Sequence, residues 1–184
     1  MGTSFAVRDM TIHRIVEQEQ GFTPLMEFLP TLTQEALDEN LSWLAPGGYD
    51  TVTGNIVLCF QSYIVQTPHH NVLVDSCIGN DKRFEHRPAW DNKRDDQWMK
   101  ALRGAGLTVD DIDFVMCTHL HGDHVGWNTR LENGRWVPTF PNARYLFSEK
   151  ELAYWTAIHE KTPLDPISES VLPVIEANRA ELVT

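Results

Sequence analysis

The most informative segment of the sequence is Asp113-Phe114-Val115-Met116-Cys117-Thr118-His119-Leu120-His121-Gly122-Asp123-His124. Its apolar first part predicts a buried strand, and its second part places three imidazoles and a carboxylate within six consecutive positions. Protonated imidazoles packed at the end of a buried strand would repel one another, whereas a divalent cation holds such a cluster neutral and ordered. The pattern therefore predicts a metal site and metal-assisted chemistry.

The spacing within this loop favours two adjacent ion positions. Side chains two residues apart in an extended segment project to the same side, so His119 and His121 can bind one ion. Gly122 permits a tight turn that directs Asp123 and His124 towards a neighbouring position. Zinc suits these ligands best, and iron, manganese or cobalt are compatible with them. A zinc-bound water has a pKa of roughly 7 and supplies hydroxide, and Asp123 is predicted both to bind metal and to shuttle the proton.

Composition limits the other classes of function. The chain has 184 residues, 42% of them hydrophobic, which predicts one globular domain with a sizeable core. A net charge of -11 at pH 7 repels phosphate backbones and disfavours nucleic-acid partners.

Cys59, Cys77 and Cys117 lack metal-binding spacing and are predicted to be free thiols. No apolar stretch is long enough for a signal sequence or a bilayer span, so we expect a cytoplasmic protein without a membrane partner.

Mixed strand and helix patterns predict a layered α/β (α+β) fold. We expect a single domain over residues 1–184, with 1–54 as an N-terminal extension and first strand, and 55–184 as the sheet, metal-binding loop and flanking helices. The predicted strands span 10–16, 55–66, 72–74, 113–117, 143–147 and a last one beginning at 180. The predicted helices span 34–44, 95–103, 149–160 and 168–177, with a polar loop at 79–92. Thr33 is the predicted cap of the first helix, and Ser148 with Glu151 forms a predicted capping box for the third.

Further residues are candidates for supporting roles. Asp75 closes an otherwise apolar strand, and we predict that it accepts hydrogen bonds from the metal loop, with Thr118 in the same supporting role. An ordinary strand-end turn is the alternative for Asp75. His86 lies in the long polar loop and, with Trp90 and Trp127, is a candidate for lining a substrate pocket. Core or rim packing is the more frequent role for tryptophan.

The histidine loop and the strand that ends at Asp75 resemble two motifs of the metallo-β-lactamase superfamily. The hallmark of that superfamily is His-x-His-x-Asp-His after a strand, with an upstream strand ending in Val-Asp. The matching pieces are Leu73-Val74-Asp75 and the run from Thr118 to Trp127. Hairpin, helix, strand and loop also follow the family's order from Asn55 to Phe147, and the Val-Gly-Trp-Asn after the loop is similar to the lactonase and organophosphate hydrolase branch. The resemblance implies an αββα sandwich, with His119 and His121 on a first ion and Asp123 and His124 on a second.

The sequence also departs from the family. There, a third histidine, a bridging aspartate and a further histidine come from the second half of the sandwich, whereas the only histidine after His124 here is His159, in a predicted helix where the family has no ligand. Three hypotheses explain the missing ligands. The chain is a fragment of a longer hydrolase, or another chain supplies the ligands as in a homo-oligomer, or this form of the protein is not catalytic. We favour a fragment that lacks the C-terminal half, and expect the chain alone to bind metal weakly and to self-associate.

The leading functional hypothesis is a metal-dependent hydrolase of a small ester-like or lactone substrate. A thioester hydrolase or a single-iron oxygenase of the same superfamily shares the ligand motif. A nuclease is disfavoured by the acidic charge. The hypothesis from a different class is a truncated, non-catalytic domain in which a partial metal site organises the loop.

Overall fold

A computed structural model describes residues 4–184, which contain a mixed sheet, a separate two-stranded sheet and several helices. The strands are β1 (Ser4–Val7), β2 (Met10–Pro24), β3 (Tyr49–Asp50), β4 (Asn55–Gln66), β5 (Asn71–Val74), β6 (Phe114–Met116), β7 (Thr129–Glu132), β8 (Arg135–Pro138), β9 (Arg144–Ser148) and β10 (Ala180–Val183). The helices are α1 (Leu25–Phe28), α2 (Gln34–Leu44), α3 (Gln97–Gly104), α4 (Gly122–Val125), α5 (Glu149–His159), α6 (Asp165–Ser170) and α7 (Leu172–Glu176). Within residues 4–184 no helix is long and apolar enough to cross a membrane.

The chain divides into two compact units. The first contains the residues up to Glu17 together with Gln61–Thr184, and the second contains Gln18–Phe60. The predicted extent of a single domain, with a boundary near residue 54, stays a prediction. The predicted metal loop lies in the first unit.

The sheet of the first unit positions the metal loop. Its strand order is β1, β2, β4, β5, β6, β9, β10, with β2 and β4 contributing the segments that belong to this unit. The pairs β5–β6, β6–β9 and β9–β10 are parallel, whereas β4–β5 is an antiparallel hairpin. Carboxyl ends of parallel strands meet at one edge of a sheet. The segments that follow β5, β6 and β9 therefore lie side by side.

One face of this sheet is covered by the main hydrophobic core. Leu73, Val115 and Tyr145 are in register on neighbouring strands and are fully buried. Trp98 of α3 packs in the same core, and its Nε1 donates a hydrogen bond to the Ser62 hydroxyl at 3.0 Å. The helix predicted near 95–103 is thereby confirmed with its aromatic residue facing inward.

The second unit has its own local packing. The predicted helix over 34–44 is confirmed, and the Thr33 hydroxyl accepts a hydrogen bond from the Ala36 amide at 3.2 Å. Leu25 and Leu37 are buried, and β3 pairs with β4 in antiparallel register. Phe22 lies edge-on to Phe28, with ring centres 6.4 Å apart.

Several local predictions were wrong in detail. The Ser148 side chain makes no capping hydrogen bond, although α5 begins at the next residue. The helix predicted over 168–177 is two short helices, because Pro173 lacks the amide proton that would continue the first one. Strands β7 and β8 form an antiparallel hairpin that was not predicted, and Asn133 and Gly134 between them have positive φ. In the part of the chain that the structure describes, Cys59, Cys77 and Cys117 form no disulfide, as predicted.

Lys82 is a buried cation in the long loop that follows β5. Its side chain is 1% exposed, and its Nζ donates hydrogen bonds to the Thr129 hydroxyl at 2.6 Å and to the Glu169 backbone carbonyl at 3.1 Å. The Nζ also lies 3.5 Å from the centre of the Trp136 ring. Burial lowers the pKa of Lys82 to about 7, against the opposing charges of Glu169 and Asp81.

We expect Lys82 to make the protein more stable as the pH rises from 7 to 9. In this window the unfolded lysine keeps its proton and the folded one releases it, so the free energy of unfolding increases by about 2 kcal/mol from this group. Urea unfolding of the wild type and Lys82→Met at both pH values measures the difference. The exposed Lys150→Met on α5 is the control and should retain the wild-type slope. An identical slope in all three proteins would contradict the prediction.

Candidate metal centre

The predicted ligand loop follows β6, beside the segment that follows β5. Val74 pairs with Met116, and the Asp75 amide donates to the Met116 carbonyl at 2.9 Å. The Ser76 amide donates to the His124 carbonyl at 2.8 Å, which fixes the far end of the loop to the same segment. Helix α4 begins directly after His121, so the last two predicted ligands lie on one short helical turn.

The four predicted ligands lie together. Nε2 of His119 is 3.1 Å from Nδ1 of His121, and the His119 and His124 ring centres are 3.9 Å apart. Nε2 of His124 is 3.5 Å from an Asp123 carboxylate oxygen. Two ligand atoms on one tetrahedral zinc are about 3.3 Å apart, so each pair has the spacing that a shared ion requires.

The same side chains do not form a complete site for one ion. Among the residues that the structure describes, no group of three or more histidine, cysteine, aspartate or glutamate side chains is arranged to hold a metal. The donor chemistry and the pair distances fit zinc, and each pair offers two ligands, as the sequence indicated. A structural zinc normally has four protein ligands and a catalytic zinc three.

The imidazoles influence one another's protonation. Burial, assisted by the charges of His124 and His121, lowers the pKa of His119. Burial by itself would also lower the pKa of His124. The hydrogen bond to Asp75 and the charges of Asp123 and Asp75 have the larger effect, so the pKa of His124 is raised. A metal ion competes with these protons for the same ring nitrogens.

Asp75 is the hydrogen-bonding centre of the loop. Its backbone is left-handed, with φ 57°, and its carboxylate accepts hydrogen bonds from the Thr118 amide and hydroxyl, both at 2.8 Å. The same carboxylate contacts Nδ1 of His124 at 2.9 Å, so Nε2 is the ring nitrogen of His124 that does not face Asp75. Burial acts to raise the pKa of Asp75, but these bonds outweigh it and hold the pKa below its usual range. Thr118 also contacts Nδ1 of His119 at 3.1 Å.

Glu17 joins the two segments that carry the site, and sequence reasoning missed it. Its buried carboxylate accepts hydrogen bonds from the Ile78 and Gly79 amides at 2.8 and 3.2 Å and from the Trp127 indole at 2.7 Å. Burial raises its pKa in spite of the Lys93 ammonium at 3.1 Å. A glutamate in an otherwise mixed strand gives no local signal for this role.

The three candidate pocket residues differ in their exposure to solvent. Trp127 is 5% exposed and stacks on Trp98, with ring centres 5.5 Å apart, so it packs in the core rather than facing a substrate pocket. Trp90 is also buried and lies edge-on to Phe84. His86 is exposed in the long loop. Core packing, the alternative considered for the tryptophans, is the role that the structure shows.

Comparison with known proteins gives a consistent result. The sequence profile of the metallo-beta-lactamase superfamily matches residues 61–181. Similar solved structures include the hydrolase AbOPH of the beta lactamase superfamily, with a TM-score of 0.72 and 18% identity over 99% of this chain and 60% of that one. A probable metal-dependent hydrolase from Staphylococcus aureus has a TM-score of 0.70 and 21% identity over 97% of this chain and 60% of that one. AidC, a dizinc quorum-quenching lactonase, has a TM-score of 0.68 and 16% identity over 100% of this chain and 61% of that one.

These likenesses concern the fold, because the identities are low. The chain spans about 60% of the length of the solved structures that it matches. A search of curated proteins gave no match.

Proposed function

The chain belongs to the metallo-beta-lactamase superfamily, and from this membership we propose a metal-dependent hydrolase that cleaves a small ester-like or lactone substrate. The observation that carries the proposal is the convergence of the His119–His121 and Asp123–His124 pairs beside Asp75. The fold shared with a dizinc lactonase supports the choice of substrate class.

We propose that His119 and His121 hold a first zinc ion and Asp123 and His124 a second, with iron, manganese or cobalt as alternatives. When bound, such ions supply a hydroxide nucleophile near neutral pH and stabilise negative charge on substrate oxygens. The Asp123 carboxylate, whose side chain is 28% exposed, is accessible for accepting a proton. Asp75 and Thr118 orient His124 and His119 through the bonds described above.

The expected partner is a small molecule, in a cytoplasmic protein. Nucleic acid is disfavoured because the net charge of -11 repels phosphate groups. A thioester hydrolase, or an oxygenase with a single iron ion, would use the same ligand loop. The second candidate function is a metal-binding domain without activity of its own. It is favoured because the proposed ligands form pairs and no larger group of metal-binding side chains occurs within residues 4–184.

The test measures turnover of an acyl-homoserine lactone, a nitrophenyl ester, a phosphotriester and a thioester by the chain loaded with Zn²⁺ or Co²⁺. We expect metal-dependent hydrolysis that falls by at least about 100-fold in His121→Ala, because a ligand of the nucleophile's ion is lost. His69→Ala, at an exposed turn, is the control and should keep full activity.

Each result points to one function. Metal binding without turnover of any substrate would favour the non-catalytic domain. Oxygen uptake by the Fe²⁺ form would favour the oxygenase. Loss of folding, rather than of turnover, in His121→Ala would indicate a structural metal.

A further inference from the structure

Helix α5 lies beside the metal loop because of the strand order. Strands β6 and β9 are parallel neighbours, and the Cys117 amide at the end of β6 donates to the Leu146 carbonyl of β9 at 3.2 Å. Helix α5 begins at Glu149, directly after β9. The first turns of this helix therefore lie next to the segment that contains His119 and His121.

Glu151 connects α5 to this segment. Its Oε2 accepts a hydrogen bond from the Leu120 amide at 3.1 Å and another from the Trp155 indole, also at 3.1 Å. Leu120 is 2% exposed and lies between the two predicted ligands of the first ion. The carboxylate that the sequence assigned to a capping box thus fixes the backbone between two metal ligands.

Trp155 provides the second contact. Its ring centre lies 5.2 Å from that of His121, at an interplanar angle of 72°, which is an edge-to-face arrangement. Edge-to-face and offset-stacked arrangements are the two that aromatic rings prefer to a face-to-face sandwich. Trp155 is one helical turn after Glu151 and is held to it by the indole bond, so the orientation of the His121 ring depends on both side chains.

We propose that Glu151 and Trp155 form one positioning unit that sets the ring orientation of His121 and so raises the metal affinity of the His119–His121 pair. The proposal deepens the proposed function and rests on it for the identity of the ligands. The indole of Trp155 is a donor only, and the Glu151 oxygen in question already accepts two hydrogen bonds. Their effect passes through the Leu120 backbone and the His121 ring, and the loss of such partners of a ligand weakens metal binding by about 10- to 100-fold.

The first experiment titrates Co²⁺ alone into the chain, in competition with a chelating dye, and records its ligand-field absorption. We expect Glu151→Ala and Trp155→Leu each to bind Co²⁺ about 10-fold more weakly than the wild type, with a changed absorption band. The double variant should lose little more than either single one, because the two residues act as a unit. Glu151→Gln, which keeps one acceptor oxygen, should recover part of the affinity.

Glu149→Ala is the matched control, because it removes an exposed carboxylate from the same turn of α5. A proton–nitrogen spectrum of the histidine rings in the metal-free protein gives a readout independent of metal. The His121 signals should shift in Glu151→Ala and stay unchanged in Glu149→Ala. Urea unfolding of each variant shows whether stability alone has changed.

Equal Co²⁺ affinities and ring signals in Glu151→Ala and Glu149→Ala would overturn the proposal. A lower free energy of unfolding with unchanged affinity and spectrum would assign a merely structural role and also overturn it. A wild type that binds Co²⁺ but hydrolyses no substrate would overturn the proposed hydrolase alone, since the affinity differences are measured without turnover.

Discussion

Replacing Gly126 with alanine is expected to destabilise the protein by about 3 kcal/mol or more, and so to prevent the metal loop from forming. A Cβ at this position would overlap the carbonyl group of Ile78 and lie 2.5 Å from the Gly79 amide nitrogen. Both obstacles are backbone, so no side-chain rotation relieves the clash. The backbone of Gly126 is right-handed helical, with φ -59° and ψ -51°, and alanine adopts that conformation readily.

The expected loss of stability therefore comes from steric overlap with backbone atoms and not from backbone strain. Urea unfolding monitored by circular dichroism measures it. Gly104→Ala, at the end of α3, is the matched control because a Cβ there meets nothing within 4 Å. The control should be neutral or slightly stabilising, since alanine favours helix more than glycine does. A Gly126→Ala protein as stable as the control would show that the approach of the two segments is not required.

Replacing Asp75 with alanine is expected to weaken Zn²⁺ binding by about 10- to 100-fold. The variant loses the acceptor of the Thr118 amide, the acceptor of the Thr118 hydroxyl and the carboxylate that orients the His124 ring. Alanine also tolerates the left-handed backbone at this position poorly. Competition with a chelating dye measures the affinity.

Asp75→Asn separates the two causes of this loss. Asparagine accepts a left-handed backbone and keeps an oxygen for the Thr118 amide, but it has no charge to offer His124. We expect an intermediate affinity. Asp113→Asn, at the opposite end of β6, is the control because Asp113 binds the Asn71 amide far from the ligands. Equal Zn²⁺ affinities for Asp75→Ala and this control would refute the role of Asp75.

Local patterns predicted the parts of the fold that depend on local forces. The α2 helix extends from Gln34 to Leu44 as expected, because a capping threonine and a helical repeat of leucines act within a few residues. A capping box is present at Thr108, whereas the one predicted at Ser148 did not form. In the second case the Leu120 amide and the Trp155 indole bind the Glu151 carboxylate, and the box pattern contains no information about them.

The residues of the candidate site also fall into two groups, those with a local sequence signal and those without one. The convergence of His119, His121, Asp123 and His124 could be predicted because they are close in sequence. The partners of Asp75 could be predicted because a carboxylate at the end of an apolar strand needs hydrogen-bond donors. Glu17 could not be predicted, because its partners Ile78 and Trp127 are 61 and 110 residues away. Trp127 was a candidate for the pocket because a tryptophan beside a ligand loop gives the same local pattern whether it faces solvent or core.

The parallel pairing of β5, β6 and β9 has a kinetic consequence. Asp75 and Thr118 are 43 residues apart, and Leu120 and Glu151 are 31 apart, so each crossover must close before its contact exists. Loop closure costs entropy that is recovered only when the strands pair, which makes such non-local contacts slow to form. The side chains that we propose as metal ligands therefore come together late in folding, after the chain has acquired its tertiary topology.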